Sequence, residues 1–150
     1  MLQLTIRLWC GADMDKMTAM AFQVERAAEK TGEAYHRWFD GGDVASLEML
    51  LAIAMVCELT PHIKHWLPTR EAAIVKAFLR QRDLPVNLTI RVSSTMIDDK
   101  PIAGHVNTST VHKASDHVGH ACPARHQGNM CGPCRACWNR DVANVSYPLH

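Results

Sequence analysis

Four of the six cysteines in this chain fall within residues 122–137. Cys122 is followed after eight residues by Cys131, and Cys134 and Cys137 come next at two-residue intervals. Thiolates are preferred ligands of zinc and of iron–sulfur clusters, and such close spacing lets several of them reach one centre. The pattern C-x8-C-x2-C-x2-C therefore predicts a metal site with these four cysteines as its ligands.

A [4Fe–4S] cluster is the cofactor that the spacing favours. Such a cluster takes one thiolate on each iron, and a C-x2-C-x2-C run can wrap one side of the cube. A more distant cysteine followed by proline, as in Cys122-Pro123, can close the other side. The small residues Gly132 and Ala136 would let backbone amides approach the sulfur atoms.

Zinc is the first alternative for the same cysteines. Structural zinc sites usually join two separate C-x2-C pairs, and three cysteines within seven residues fit that arrangement less well. A site of three cysteines and one histidine stays open, with His117, His120 or His126 as the fourth ligand.

A redox dithiol is the second alternative, because Cys131-Gly-Pro-Cys134 matches the thioredoxin tetrapeptide. That chemistry needs a preceding strand, a long following helix and most of the fold after it. Only sixteen residues follow Cys134, and Cys137 lies three positions on. The dithiol interpretation is therefore disfavoured.

Arginines lie near the cysteines in the sequence, at Arg125, Arg135 and Arg140. A cluster held by four thiolates carries net negative charge, so these side chains could offset it and raise its reduction potential. Ordinary surface arginines are an equally good account of the same residues.

The composition limits the partners and the compartment. The formal net charge is +1 and no nucleic-acid-binding motif is visible, so the sequence does not indicate nucleic-acid binding. No secretory signal is visible, and the longest apolar run, Leu47 to Leu59, is too short to cross a bilayer. We expect a cytosolic protein, and in that compartment clustered thiols are more often metal ligands than disulfides. Cys10 and Cys57 are isolated, and Cys57 is expected in the core.

Helix and strand patterns alternate before the cysteines. Apolar periodicity predicts helices over 14–31, about 44–59 and about 70–82. Asp43 and Thr69 are the predicted N-caps of the second and third helices. In the third helix, the side chains expected to face inward are Ile74, Val75, Phe78 and Leu79. Strands are predicted over 34–39, 62–67 and 87–93, with a last short strand within 142–150. Residues 98–140 lose this patterning and read as a long irregular segment.

The alternation predicts an α/β fold with a small, partly parallel sheet of βαβαβ repeats, closed by an irregular cysteine-rich segment. We expect a single domain over 1–150, made of an α/β unit at 14–97 and a loop-rich metal-binding segment at 98–150. The polar segments 40–43, 68–71 and 93–95 each follow a strand, and they should meet at the carboxyl edge of the sheet.

That edge offers weak catalytic candidates. His36 and Asp43 flank the end of the first strand, and His65 and Glu71 flank the end of the second. Such a set could hold a metal or transfer protons, which would make the protein an enzyme with a polar strand-end pocket. Helix capping and sheet packing explain the same residues without any catalysis.

Residues about 34–150 resemble the bacteriophage Gene product 88 domain family. The resemblance rests on Arg37-Trp-Phe-Asp-Gly-Gly-Asp43, His65-Trp-Leu-Pro-Thr-Arg-Glu71, Asn87-Leu-Thr-Ile-Arg-Val-Ser93, the run from Cys122 to Trp138, and the closing Val145-Ser-Tyr with His150.

The resemblance implies a phage or prophage protein and assigns no activity. Family members often carry a further cysteine-bearing segment upstream, so this chain is similar to the C-terminal portion of a longer member behind a different short lead. The strand–helix repeats also resemble a partial barrel of the radical-SAM kind, but the C-x3-C-x2-C motif of that chemistry is lacking.

Three functions follow as expectations. The first is a phage-encoded iron–sulfur protein with a structural, redox or sensing role. The second is a metal-dependent enzyme at the strand ends. The third is a zinc-stapled module that binds a host or phage protein.

Overall fold

Residues 13–113 and 116–149 are described by the computed structural model of the chain. The helices are α1 (Met14–Thr31), α2 (Leu47–Leu59) and α3 (Ala72–Gln81). The strands are β1 (Tyr35–Arg37), β2 (Lys64–Thr69), β3 (Leu88–Ile97), β4 (Thr108–His112), β5 (His120–Ala121) and β6 (Asn144–Pro148). Two short 3-10 helices cover Pro123–Gln127 and Ala136–Trp138.

The strands follow the order β1-β2-β3-β4-β6-β5 in one sheet. The pairs β1·β2, β3·β4, β4·β6 and β5·β6 are all parallel. The predicted α/β class with a parallel sheet is therefore confirmed. By contacts the chain divides into a first unit, the described part of 1–67 with 71–88, and a second unit, 68–70 with the described part of 89–150. The predicted single domain stays a prediction.

Helix α1 of the first unit has the predicted bounds, because both of its ends carry local signals. The Asp13 carboxylate accepts a hydrogen bond from the Asp15 amide at 3.0 Å. Gly32 adopts the left-handed conformation with φ of 69° and donates its N–H to the Ala28 carbonyl, which ends the helix. One face is buried, and its members are Met17, Ala21 and Val24.

Helix α2 begins at Leu47, later than predicted, and its cap is Ser46. The Ser46 hydroxyl accepts from the Met49 amide at 3.2 Å. The prediction that Asp43 caps this helix is therefore wrong, and its carboxylate instead accepts from the adjacent Val44 amide at 2.7 Å. Helix α2 is buried nearly all round, yet at 13 residues it is short. No helix in the described part of the chain has the length and apolarity needed to cross a bilayer.

The N-cap of helix α3 also differs from the predicted residue. Thr69 is the last residue of β2 rather than an N-cap, and Glu71 precedes the helix without a side-chain capping bond. Val75 and Phe78 form the buried stripe. Leu79, expected to face inward, is 47% exposed because it lies about 100° around the helix from Phe78.

Strands β1 and β2 bring two histidines side by side in the first unit. In their parallel register His36 lies opposite His65. The side-chain amide of Asn87 fixes the loop before β2, since its Nδ2 donates to the carbonyls of Cys57, Thr60 and Ile63 at 2.8–3.0 Å. The two N–H protons of this amide are shared among carbonyls that extend from the last turn of α2 to the residue before β2.

The second unit contains the largest departure from the predicted fold. Residues 98–140, expected to be irregular, include β4, β5 and the two 3-10 helices. Strand β6, which the tail was expected to form, is confirmed at Asn144–Pro148 and lies between β4 and β5.

Polar side chains hold β4 to β6. The Thr108 hydroxyl donates to Asn144 Oδ1 at 2.8 Å, Asn144 Nδ2 lies 2.9 Å from the Thr110 hydroxyl, and that hydroxyl donates to Ser146 at 3.0 Å. All four residues are buried. Because their polar atoms are paired, a strand without apolar alternation is stable here.

Candidate metal centre

The four clustered cysteines all lie in the second unit and are held by different elements. Cys122 directly follows β5, and its amide donates to the Ser146 carbonyl of β6 at 2.8 Å. Cys131 and Cys134 share a turn in which the Cys134 amide donates to the Cys131 carbonyl at 3.2 Å. Cys137 belongs to the 3-10 helix at 136–138. All four are free thiols.

Burial is the largest cause of a raised pKa at two of these thiols. The pKa of Cys122 is raised, first by burial and also by the charges of Cys131 and Cys134. Burial raises the pKa of Cys137 to about 11, and the charges of Cys122 and Cys131 act in the same direction. The four cysteines that the sequence singled out therefore lie in the same unit.

Cys137 is the most enclosed of the set, at 7% exposed, whereas Cys131 is exposed. The Sγ of Cys137 lies 3.2 Å from the hydroxyl of Tyr147 on β6. The Tyr147 hydrogen bond and the charge of Arg91 both oppose the rise in the pKa of Cys137. The least accessible thiol thus has two neighbours that favour its thiolate.

Of the three histidines considered as a fourth ligand, His120 is placed against a thiol. Its Nε2 lies 3.4 Å from the Sγ of Cys134. The His117 ring lies 5.2 Å from that of His112, and His126 is exposed in the first 3-10 helix.

Across residues 13–113 and 116–149, no group of three or more His, Cys, Asp or Glu side chains is arranged to hold a metal ion. The donor types nonetheless fit a soft metal or an iron–sulfur cluster, since all four cysteines are free thiols of one unit. The cysteines would be the holding groups, and a coordinated thiol is deprotonated by the metal itself.

Two of the three arginines named from the sequence, Arg125 and Arg135, donate to backbone carbonyls. Arg125 Nη1 donates to the Leu149 carbonyl at 3.3 Å. Arg135 Nη1 donates to the Cys134 carbonyl at 2.9 Å, and its guanidinium lies 6.0 Å from the Trp138 ring centre. Burial lowers the pKa of Arg140. Arg135 therefore stabilises the turn that carries Cys134.

Sequence reasoning missed the arginine that is most deeply placed, Arg91 of β3. It is fully buried, and it donates to the carbonyls of Ala136, Cys137 and Asn139 at 2.8–3.0 Å. It also donates to the carbonyls of Thr108 and Ala143. The sequence did show that Arg91 alternates with Leu88, Ile90 and Val92. This alternation places Arg91 on the opposite face of β3, and both faces of that part of the strand are buried.

The catalytic candidates of the first unit are brought together in part. The His36 and His65 rings are 5.5 Å apart, and burial lowers the pKa of His36 to about 4 and that of His65 to about 3. Asp43 binds the Val44 amide, and Glu71 is exposed before α3. The two histidines are neutral near pH 7, and the strand-end enzyme stays a prediction.

Comparison with known proteins places the chain in a family. The family profile described as Gene product 88 matches residues 4–140. No curated protein and no solved structure matches the chain. The family match begins well before residue 34, where the sequence resemblance was expected to start, and it covers all four clustered cysteines. The chain therefore belongs to the Gene product 88 family.

Proposed function

We propose that this Gene product 88 protein is a phage-encoded iron–sulfur protein of the host cytoplasm. Cys122, Cys131, Cys134 and Cys137 ligate one [4Fe–4S] cluster. The observation that carries the proposal is the C-x8-C-x2-C-x2-C spacing of four cysteines that are all free thiols of the second unit. When bound, such a cluster supplies electron transfer, redox sensing or a structural cross-link.

The protein's own contribution is to hold the ligands at different depths. Cys122 is tied to β6 through its backbone, and Cys137 lies on the buried side of the unit. Cys131 is exposed in the turn between them. This gradient leaves one side of the site open to solvent, which a redox or sensing role needs, while the other side sets the dielectric around the cluster.

Metal content decides the assignment. The full chain is purified anaerobically, and its absorption spectrum, iron and acid-labile sulfide are measured. A brown protein with about four irons and four sulfides per chain is expected. Cys134→Ser should lose this iron, while Cys57→Ala, which removes a buried thiol in the first unit, should retain it. A colourless protein with one zinc per chain would exclude the cluster.

A second candidate is favoured by the contact between His120 and Cys134. At 3.4 Å the imidazole could replace one thiol in a zinc site of three cysteines and one histidine. The protein would then be a zinc-stapled module that binds a host or phage protein. Zinc analysis of the same preparation separates the two candidates, because only this one predicts stoichiometric zinc without sulfide.

A further inference from the structure

Arg91 is a buried cation whose charge has an unusual environment. Its side chain is fully buried, and its nitrogen atoms make five hydrogen bonds, every one of them to a backbone carbonyl. Among the described residues no carboxylate forms an ion pair with it. The donors are satisfied, but the carbonyl dipoles only partly replace the anion that a buried charge requires.

The groups that can supply negative charge to Arg91 are at the candidate metal centre. Burial lowers the pKa of Arg91, and the charges that oppose this effect belong to Cys137 and Tyr147. Arg91 also binds the carbonyl of Cys137 itself at 3.0 Å. The guanidinium is therefore bound to the backbone of the residue that carries the most enclosed thiol of the set.

Tyr147 completes this arrangement from the neighbouring strand. Residue 147 lies in β6, opposite Val111 of β4, and its hydroxyl is 3.2 Å from the Cys137 sulfur. A metal-bound thiolate can only accept hydrogen bonds, so the tyrosine hydroxyl must be the donor in the loaded protein. A strand with partners on both sides holds that hydroxyl in place.

We propose that Arg91 and Tyr147 form a fixed electropositive support behind Cys137, which stabilises its metal-bound thiolate and raises the reduction potential of the cluster. This inference rests on the proposed function. Hydrogen bonds to the sulfurs and positive charge near a cluster both favour the more negative, reduced state. Arg91 and Tyr147 are positioning residues, because they act through Cys137 and its carbonyl.

The test compares the two tyrosines of the chain. Tyr147→Phe removes the hydroxyl beside Cys137, and Tyr35→Phe makes the same change on β1 of the first unit. The midpoint potential of each anaerobically purified protein is measured by redox titration, with iron content determined on the same samples. We expect a negative shift for Tyr147→Phe and an unchanged potential for Tyr35→Phe.

Arg91→Gln supplies the charge test, with a larger negative shift expected. Because this variant also loses backbone hydrogen bonds and can fail to fold, Tyr147→Phe decides the inference. A fully loaded Tyr147→Phe protein with the wild-type potential overturns it and leaves the cluster assignment intact.

Zinc in the wild-type protein would instead overturn the proposed function. The support is then examined in cobalt-substituted protein, where Tyr147→Phe should shift the thiolate-to-cobalt charge-transfer absorption to longer wavelength. An unshifted band would overturn the inference, and a wild-type protein without any metal would overturn both proposals.

Discussion

The Nε2 atom of His65 lies 2.9 Å from the hydroxyl oxygen of Thr60 in the core of the first unit. The Thr60 hydroxyl donates its single proton to the Val56 carbonyl at 2.8 Å. Nε2 therefore carries the imidazole proton and donates it to Thr60. The other nitrogen, Nδ1, is buried and has no hydrogen-bond partner within the described residues. This geometry holds a neutral ring.

Acid should destabilise the protein through this histidine and its neighbour. Burial depresses the pKa of His65 to about 3 and that of His36 to about 4, below the ordinary value of 6.5. Between the folded-state pKa of each histidine and 6.5, the unfolded chain consequently binds more protons than the folded chain. The contribution of the two neutral histidines to the free energy of unfolding is fully present above pH 6.5. It falls as the pH drops toward 4, by up to about 1.4 kcal/mol per pH unit for each histidine.

Urea unfolding between pH 7 and pH 5 measures this slope. His65→Gln retains a donor for Thr60 and should give a shallower profile. His62→Gln changes an exposed histidine beside Glu25 and serves as the control, with the wild-type slope expected. Equal slopes for wild type and His65→Gln would contradict the prediction.

Gly119 should tolerate no side chain, whereas Gly128 should tolerate one at modest cost. Both have positive φ, 77° and 64°. A Cβ on Gly119 would lie 2.5 Å from the Asn144 carbonyl oxygen, while a Cβ on Gly128 has no neighbour within 4 Å. Thermal unfolding should show a loss above about 2 kcal/mol for Gly119→Ala and about 1 kcal/mol for Gly128→Ala. Similar losses would mean that β5 does not approach β6 this closely.

The corrected helix cap makes a quantitative prediction. Ser46→Ala removes the oxygen that binds the Met49 amide and should cost about 1 kcal/mol in the free energy of unfolding. Asp43→Ala removes an oxygen that binds the adjacent Val44 amide but does not cap the helix, and it should cost less. Denaturant unfolding of the two variants ranks them, and the reverse order would restore Asp43 as the cap.

His120→Gln distinguishes the two ligand sets. With four cysteine ligands the imidazole beside Cys134 is dispensable, so iron and sulfide per chain should remain at wild-type levels. His126→Gln, in the exposed 3-10 helix, is the matched control. Loss of bound metal in His120→Gln alone would favour the site of three cysteines and one histidine.

Local signals made parts of the fold predictable. Helix α1 matches its predicted bounds because Asp13 and Gly32 are caps within a residue of its ends. The clustered thiols were identifiable for the same reason, since their spacing is itself local. Asp43 and Thr69 were plausible caps by residue type, but the chain places each of them outside the first turn of its helix.

Long-range partners decided what could not be predicted. Strand β4, Thr-Ser-Thr-Val-His, lacks apolar alternation, and its stability comes from Asn144 and Ser146 more than thirty positions away. Arg91 resembled an exposed polar residue of an alternating strand. Its role depends on carbonyls of residues 136–139, and no local pattern indicates them.

The insertion of β6 between β4 and β5 fixes an order of events during synthesis. Residues 122–137, with all four thiols, leave the ribosome before the strand that anchors the Cys122 amide and carries Tyr147. A nascent chain therefore displays unpositioned cysteines until β6 has been made and has entered between its two neighbours. Under the proposed function, we expect the complete metal site to form only after that entry, and oxidants that reach the thiols earlier would compete with metal binding.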